Sequence, residues 1–427
     1  MNVIEKPKKE SWGELSQRPT LDEKDLTNVI SEIFENVNLK GDSALFEYAL
    51  KFDGVDLVSL IPTQEEVNQA RGLVSEELKQ AIDIAKNNIE KFHASQASKV
   101  VKVSTTDGVE CWQKSVGIDK VGIYIPGGTA PLFSTILMLA IPAKLAGCKE
   151  IVLCTPPSKE GKINEVMLYV ADLLGIDKIF KIGGAQAVAA MTLGTESVPQ
   201  VYKIFGPGNQ YVTAAKQYSL NLGVAIDMPA GPSELLVVCD ANANPAFVAS
   251  DLLSQAEHGI DSQVICLSDS ENSLYEVIRE VQSQVEQLSR KDIAKEALKA
   301  SRFISLENRD EIVEFSNLYA PEHLIINTVD EDYYIENISN AGSVFLGQYT
   351  PESAGDYASG TNHTLPTNGF AKQYSGVNLD AFVKKITFQR ITKEGIQNIG
   401  PAIESMAEAE ELQAHKNAVT LRLKSLS

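Results

Sequence analysis

The pattern of hydrophobic and polar positions changes near residue 120 of this 427-residue chain. Over the first hundred residues, apolar positions recur at helical spacing between glycine stops, as in LDEKDLTNVISEIFENVNLKGDSALFEYALKFDG. From Lys120 onward, β-branched runs such as VGIYIP and KEIVLCT alternate with helical segments such as PLFSTILMLAIPAKLAG. A second series begins at ELLVVCD and continues through SQVICLS, RFISLE, HLIIN and GSVFLG. This alternation predicts parallel sheets with helices on both faces.

The predicted fold class is α/β, with two Rossmann-like, incompletely doubly wound parallel-sheet units, an N-terminal helical segment and a C-terminal helical tail. The predicted parts are an N-terminal arm (1–20), a first α/β domain (21–115 and 233–370), a second α/β domain (116–232) and a C-terminal tail (371–427). We expect an active cleft between the two domains, at the carboxyl ends of strands. The tail segment IESMAEAEELQAHKNAVTLRLKSL is charged and lacks a strand partner. Such an extension more often docks on another subunit or domain than remains free.

The composition narrows the class of ligand. A formal charge of −19 argues against a general binder of nucleic acid or anionic membranes, because phosphate groups demand clustered Lys and Arg. A small-molecule substrate is favoured. Residues 1–15 contain no apolar run of signal-peptide length, and no later run approaches a membrane span, so we expect a cytoplasmic protein. The five cysteines show no CxxC spacing, which indicates reduced, buried thiols.

Glycine loops follow strands at three places in the second predicted domain: YIPGGTAP (Tyr124 to Pro131), GGAQAVAAM (Gly183 to Met191) and FGPGNQYV (Phe205 to Val212). A strand, a glycine turn and a helix start together present backbone N–H groups to a phosphate or carboxylate. None matches GxGxxG, and each alone could be a plain turn. Their occurrence in one unit favours a nucleotide-like ligand.

A glutamine and a histidine share one face of a helix end in LSQAEHG. Gln255 and His258 are three positions apart and project together, whereas Glu257 points elsewhere. They could share a ligand, or His258 could simply interact with the helix dipole near Gly259. A zinc site needs at least three protein ligands, so the remaining ligands would have to come from other segments.

Further candidate groups lie in three later segments and one turn. YAPEHLIIN places Glu322 and His323 at the start of a buried strand, as an acid/base pair or a surface pair. A long Gly, Ser and Thr loop, ESAGDYASGTNHTLPT, holds Asp356 and His363, and loops of this kind are often functional. The remaining candidates are Ser233 and Glu234 in the turn PAGPSE, which could be a plain connection, and Glu410 and His415 in the tail.

Taken together, these segments resemble the histidinol dehydrogenase family along nearly the whole chain, most weakly in the first hundred residues. The resemblance rests on YIPGGTAPLFST, GGAQAVAA, FGPGNQYV, IDMPAGPSELLV, QAEHG, APEHL, GDYASGTNHTLPT and AHKNAVTLR. Members of this family oxidise L-histidinol to L-histidine through histidinal with two NAD⁺ per turnover. They hold one zinc ion (Zn²⁺) per subunit and form homodimers with shared active sites.

The resemblance implies a role for each matched residue. His323 would be the general base, and Glu322 would activate the water that hydrates histidinal. The first domain would then carry most zinc and catalytic residues, and the second would bind NAD⁺. The implied zinc ligands are Gln255, His258, Asp356 and, from the partner subunit, His415. The implied NAD⁺ contacts are Tyr124, Gln186 and Asn209, and the implied substrate contacts are Ser233, Gln255, His258, His323, Asp356, Glu410 and His415.

Two further expectations concern the tail and the rival functions. On an unbroken helix Glu410 and His415 would lie about 140° apart, so we expect a break near Lys416 and Asn417 or different partners for the two. One rival is an aldehyde-dehydrogenase-like enzyme with Cys148 or Cys154 as nucleophile. The others are a zinc hydrolase, which would not need NAD⁺, and a ligand-binding protein without catalysis.

Overall fold

The computed structural model describes residues 3–19, 26–127, 131–229 and 231–426. The strands are β1 (Val3–Glu5), β2 (Lys102–Thr106), β3 (Val109–Gly117), β4 (Lys120–Tyr124), β5 (Glu150–Thr155), β6 (Lys178–Lys181), β7 (Lys203–Phe205), β8 (Ala225–Ile226), β9 (Glu234–Cys239), β10 (Gln263–Ser268), β11 (Arg302–Ser305), β12 (His323–Asn327), β13 (Ser343–Leu346) and β14 (Val383–Ile391). The α-helices are α1 (Trp12–Leu15), α2 (Leu26–Lys40), α3 (Asp42–Tyr48), α4 (Gln64–Leu73), α5 (Glu76–Ala94), α6 (Phe133–Leu145), α7 (Glu165–Leu173), α8 (Gly184–Leu193), α9 (Gln210–Leu220), α10 (Pro245–Ala256), α11 (Glu271–Val285), α12 (Lys291–Ala297), α13 (Arg309–Tyr319), α14 (Glu331–Asn337), α15 (Glu352–Tyr357), α16 (Lys393–Ala409) and α17 (Gln413–Lys424).

A six-stranded sheet has the order β1-β11-β10-β9-β12-β13, and all its pairings are parallel. Along β9, Leu235 and Val237 face a core formed with α10 and α11, whereas Leu236 and Val238 face a core formed with α13. Both faces are therefore covered, as a parallel sheet requires. Residues 3–5 of the predicted N-terminal arm form the edge strand β1.

A five-stranded parallel sheet has the order β6-β5-β4-β7-β8. Leu153 of β5 packs in the core that includes α6, and its neighbours Val152 and Cys154 pack in the core that includes α8. This sheet confirms the alternation of strands and helices predicted from Lys120 onward. Together the two sheets confirm the α/β fold class.

The helices of residues 26–94 pack mainly on the five-stranded sheet. Ile30 and Phe34 of α2 share a core with β5 and α8, and Ile82 and Ile89 of α5 share a core with β4 and α6. The sequence pattern predicts a different grouping, of residues 21–115 with 233–370. The packing differs because the apolar stripes of α2 and α5 complete the cores on the two faces of this sheet.

A three-stranded antiparallel sheet, β14-β3-β2, joins the C-terminal tail to residues 102–117. Phe388 of β14 stacks on Trp112 of β3, with ring centroids 5.5 Å apart. The sequence predicts the helices of the tail but not these strands, because β2 is exposed along its length and β14 nearly so. Such strands carry little of the hydrophobic alternation that identifies a half-buried strand.

The break between the tail helices comes earlier than predicted. Helix α16 ends at Ala409 and α17 begins at Gln413, so the break lies at residues 410–412 rather than near Lys416 and Asn417. Glu411 has a φ of 59°, and the Leu412 N–H returns to the Ala407 carbonyl at 2.8 Å. A residue in the left-handed region ends the helical hydrogen-bond ladder. Glu410 and His415 therefore belong to different helical segments.

Candidate active site

Glu322 and His323 lie at the start of β12, beside the start of β9. The backbone N–H of Glu234 donates to Glu322 Oε2 at 2.9 Å, and His323 Nδ1 lies 3.3 Å from the Glu234 carbonyl oxygen. The Glu322 and His323 side chains are buried. The main chain of one β9 residue therefore fixes an acid and a base next to each other.

Both ring nitrogens of His323 lie near carboxylates. Nδ1 lies 3.7 Å from Glu322 Oε2 and 3.6 Å from Glu352 Oε1, and Nε2 lies 3.6 Å from Asp356 Oδ1. Burial opposes a charge on His323, but the three carboxylates outweigh it and raise its pKa to about 10. Burial raises the pKa of Glu322 to about 7, against the opposing effect of His323. Displaced pKa values of a neighbouring acid and base are typical of catalytic groups.

Glu352, the first residue of α15, is not among the predicted site residues. Its side chain is 1% exposed, and the Ser254 hydroxyl donates to its Oε2 at 3.2 Å. Burial raises the pKa of Glu352 to about 8, and its Oε1 has no hydrogen-bond partner among the described residues. The sequence offered only a glutamate at the start of a polar loop. Its burial depends on the docking of α15 on α10, which local pattern does not show.

His258 and Asp356 lie beside His323, and Gln255 is three residues before His258 at the same helix end. Gln255 is fully buried near the end of α10, and neither Oε1 nor Nε2 of its amide has a partner among the described residues. Burial lowers the pKa of His258, against the effect of Asp356. Burial would raise the pKa of Asp356, but its contact with His323 dominates and lowers it. A neutral imidazole and an ionised carboxylate are the protonation states that metal ligation requires.

Glu410 and His415 lie on the exposed surface of the tail, at the end of α16 and in the first turn of α17. The described residues contain no cluster of three or more His, Cys, Asp or Glu side chains that could hold a metal. Within one chain, the structure places His258 and Asp356 beside His323 and leaves His415 on the exposed tail.

The predicted NAD⁺ contacts lie at the carboxyl ends of β4, β6 and β7. The Tyr124 hydroxyl accepts a hydrogen bond from the Gly184 N–H at 3.0 Å, two residues before the buried Gln186. Asn209 caps α9, because its Oδ1 accepts from the N–H groups of residues 211 and 212. Gly206, with a φ of 129°, passes so close to β4 that a Cβ would lie 2.0 Å from the Tyr124 carbonyl oxygen. The tip of the first glycine loop, residues 128–130, lies outside the described residues.

A cavity of about 330 Å³ connects these loops with the acid/base pair. His363 lies in its wall, with Nδ1 2.8 Å from the Asp356 carbonyl oxygen and Nε2 3.0 Å from Thr135 Oγ1. The cavity therefore borders members of both predicted sets, the NAD⁺ contacts and the catalytic and zinc-binding residues. Its walls include Gly206, Asn209, Ser233, His258, Glu322 and His363.

The two sheets face this cavity with opposite edges. The five-stranded sheet presents its carboxyl edge, as predicted, but Glu234 and His323 begin strands of the six-stranded sheet. The prediction of a cleft at carboxyl ends is therefore wrong for the six-stranded sheet. Helix α10 returns antiparallel to β9, so its end, with Gln255 and His258, reaches the amino edge.

The sequence model of the histidinol dehydrogenase family matches residues 16–423. The chain belongs to the histidinol dehydrogenase family. It is 60% identical over 426 residues to histidinol dehydrogenase of Bacteroides thetaiotaomicron, with 100% of both chains covered. It is 51% identical over 428 residues to histidinol dehydrogenase of Campylobacter jejuni, which covers 100% of this chain and 98% of the relative.

A solved member of the histidinol dehydrogenase family has the same fold. The crystal structure of histidinol dehydrogenase from Elizabethkingia anophelis is 58% identical to this chain, with a TM-score of 0.98 and coverage of 100% of this chain and 98% of the other. The resemblance predicted from motifs is therefore confirmed, including the first hundred residues where the motifs were weakest. In the part of the chain that the structure describes, every helix is too short or too polar to cross a membrane.

Proposed function

We propose that this protein oxidises L-histidinol to L-histidine through histidinal, with two NAD⁺ per turnover and one zinc ion per subunit. The observation that carries the proposal is the buried pair of Glu322 and His323, held by the main chain of Glu234 at a cavity that also reaches His258. The name of the Bacteroides thetaiotaomicron relative, histidinol dehydrogenase, supports this substrate at 60% identity.

Zinc fits the polar groups around Gln255. A buried amide without partners is costly unless a ligand satisfies it, and both polar atoms of this amide lack partners among the described residues. His258 and Asp356 add an imidazole nitrogen and a carboxylate oxygen, which are donors that zinc accepts. We propose Gln255, His258, Asp356 and the partner subunit's His415 as the ligands. When bound, zinc would hold and polarise the substrate as a Lewis acid.

The exposed tail supports a homodimer with shared active sites. Met406, Leu412 and Leu421 are 67%, 43% and 59% exposed on α16, α17 and the segment between them. Exposed apolar side chains grouped on one extension are typical of an interaction surface. We propose that residues 371–427 dock on a second copy of the chain and bring Glu410 and His415 to its cavity.

The chain's own residues can move the protons that the reaction releases. An alcohol loses its hydroxyl proton as its carbon is oxidised, and we assign the neutral form of His323 as the acceptor. Because the surrounding carboxylates raise the pKa of His323, this form becomes more populated as the pH rises. Glu322 would take a proton from the water that adds to histidinal. Because burial raises its pKa to about 7, the Glu322 carboxylate is a stronger base than an exposed one. Bound NAD⁺ would accept one hydride in each of the two oxidations. Ser233 and the partner's Glu410 would contact the substrate.

Asn209 offers a test of the proposed NAD⁺ site. Asn209→Asp keeps a helix cap, because Asp caps as well as Asn, but adds a negative charge at a proposed contact of NAD⁺, whose phosphates are negatively charged. We expect the KM for NAD⁺ to rise about tenfold, a cost of about 1.4 kcal/mol, with the melting temperature nearly unchanged. Asn244→Asp, at the cap of α10, is the matched control. An unchanged KM in Asn209→Asp would contradict the assignment.

The cysteine mechanism is disfavoured by the structure. Burial raises the pKa of Cys148 to about 11 and raises that of Cys154 as well, and neither residue lines the cavity of Glu322 and His258. Thiolates, not thiols, are the nucleophiles. Cys148→Ser and Cys154→Ser should each keep kcat within about twofold of wild type, because general acid–base chemistry does not use them. A loss of turnover in either variant, with its fold intact, would restore the cysteine mechanism.

Product analysis tests the proposed function. The purified protein with L-histidinol should form L-histidine only when NAD⁺ is added, and chelation should stop the reaction until zinc is restored. A zinc hydrolase would cleave an ester or amide without NAD⁺ and would leave L-histidinol unchanged. The absence of L-histidine in the complete mixture would overturn the proposal.

A further inference from the structure

Arg18 of the N-terminal arm reaches the amino edge of the six-stranded sheet. Its Nη2 donates to Glu234 Oε2 at 2.7 Å, and its Nε donates to Glu234 Oε1. The side chains of Arg18 and Glu234 are only 13% and 3% exposed. A bidentate pair of this kind fixes orientation as well as position, and it neutralises a carboxylate that would otherwise be buried without a counter-ion.

The same guanidinium holds the segment that leads into the acid/base pair. Nη2 also donates to the carbonyl oxygen of Tyr319 at 2.7 Å and to that of Ala320 at 3.3 Å. The guanidinium carbon lies 4.0 Å from the centroid of the Tyr319 ring. Ala320 has a φ of 52°, in the left-handed region that a non-glycine residue keeps only when its surroundings hold it there. Arg18 supplies such a restraint on Ala320, which lies two residues before Glu322.

Glu234 connects Arg18 to both members of the pair. Its carboxylate binds Arg18 and accepts the Asn368 N–H at 2.6 Å. Its backbone N–H and carbonyl contact Glu322 Oε2 and His323 Nδ1, at 2.9 Å and 3.3 Å. A shift of Glu234 would therefore move both contacts together.

We propose that Arg18 is a positioning residue for catalysis: clamped between the Glu234 carboxylate and the carbonyls of residues 319 and 320, it sets the relative position of Glu322 and His323. The inference rests on the proposed roles of Glu322 and His323. It gives the N-terminal arm a part in turnover, although Arg18 is not one of the residues that line the cavity. Proximity alone is insufficient for catalysis, and misplacement by about 1 Å can cost 10²-fold in rate.

Arg18→Ala and Arg18→Lys test the clamp in the full-length, zinc-loaded enzyme. We expect kcat to fall about 10- to 100-fold in Arg18→Ala, with zinc content and the KM for NAD⁺ within about twofold of wild type. Lysine keeps a charge without the planar fork, so Arg18→Lys should lose at least about fivefold in kcat. Guanidinium chloride at about 20 mM should recover part of the kcat of Arg18→Ala, because it can refill the site of the missing group.

Arg71→Ala is the matched control. Arg71 forms a similar bidentate pair with Asp172, at 2.6 Å and 2.8 Å, between α4 and α7. Its kcat should stay near wild type and should not respond to guanidinium. Arg18→Lys carries the test if Arg18→Ala does not fold. Wild-type kcat in either Arg18 variant, or a loss in Arg18→Ala that guanidinium does not relieve, would overturn the proposal.

A crystal structure of an Arg18 variant separates this inference from the proposed function. If the wild-type enzyme forms no NADH from L-histidinol, the proposed function fails, and the positions of Glu322 and His323 still decide the role of Arg18. Loss of the contact between His323 Nδ1 and the Glu234 carbonyl would support the clamp. Unchanged positions of both side chains would overturn it.

Discussion

Replacing His323 with asparagine should lower kcat for L-histidinol oxidation by about 10³-fold while the enzyme keeps its zinc. His323 is the proposed acceptor of the hydroxyl proton, and asparagine cannot take up a proton at that point. His323 is not among the proposed metal ligands, so metal binding should survive. His258→Asn should instead lose zinc, because it removes a proposed imidazole ligand beside Asp356, and its loss of activity should follow from the loss of the metal.

Metal analysis beside steady-state kinetics separates these two histidines. Both variants should be purified with zinc present, dialysed together and compared with wild type for zinc per subunit and for kcat. Added zinc should partly restore His258→Asn and should leave His323→Asn unchanged. A zinc-free His323→Asn with a zinc-loaded, inactive His258→Asn would reverse the assignment.

Mixing two inactive variants should restore activity if the tail completes the partner's site. His415→Asn alone should lower kcat by about 10²-fold or more, because zinc would lose the ligand that the partner subunit supplies. In a heterodimer with His323→Asn, one site combines an intact cavity with an intact tail, and the other carries both changes. With random exchange of equal amounts, half of the dimers are mixed and half of their sites are intact, so about a quarter of wild-type activity should return.

The control for this experiment is a mixture of His258→Asn with His323→Asn. Both changes lie in the same cavity, so no combination of these chains contains an intact site, and the activity should stay low. Native mass spectrometry must show that mixed dimers form. Full exchange without recovery in the His415→Asn mixture would place His415 in the site of its own chain and contradict the shared site.

Most of the fold could be predicted because its strands are buried on both faces. Runs such as ELLVVC and QVICLS are continuous apolar segments between helical ones, and they became neighbouring parallel strands. Strands β2, β3 and β14 could not be predicted in the same way. Their pairing joins residues 102–117 to 383–391, and the exposed faces of β2 and β14 leave no strong periodicity.

The site was partly predictable for a similar reason. The sequence pattern clearly predicts the strand and the helix at whose ends Glu322, His323 and His258 lie. Glu352 and the contact between Arg18 and Glu234 depend instead on segments far apart in the chain. Local sequence shows neither the burial of the Glu352 carboxylate nor the partner that neutralises Glu234. The position of His415 depends on a second chain.

The most direct test of the account counts NADH at 340 nm with L-histidinol limiting, NAD⁺ in excess and zinc present. We expect two NADH for each L-histidinol consumed, with L-histidine as the product, and no absorbance change after chelation until zinc is returned. One NADH per substrate would contradict the second oxidation that we assign to the pair of Glu322 and His323. No NADH from the zinc-loaded enzyme would contradict the function itself.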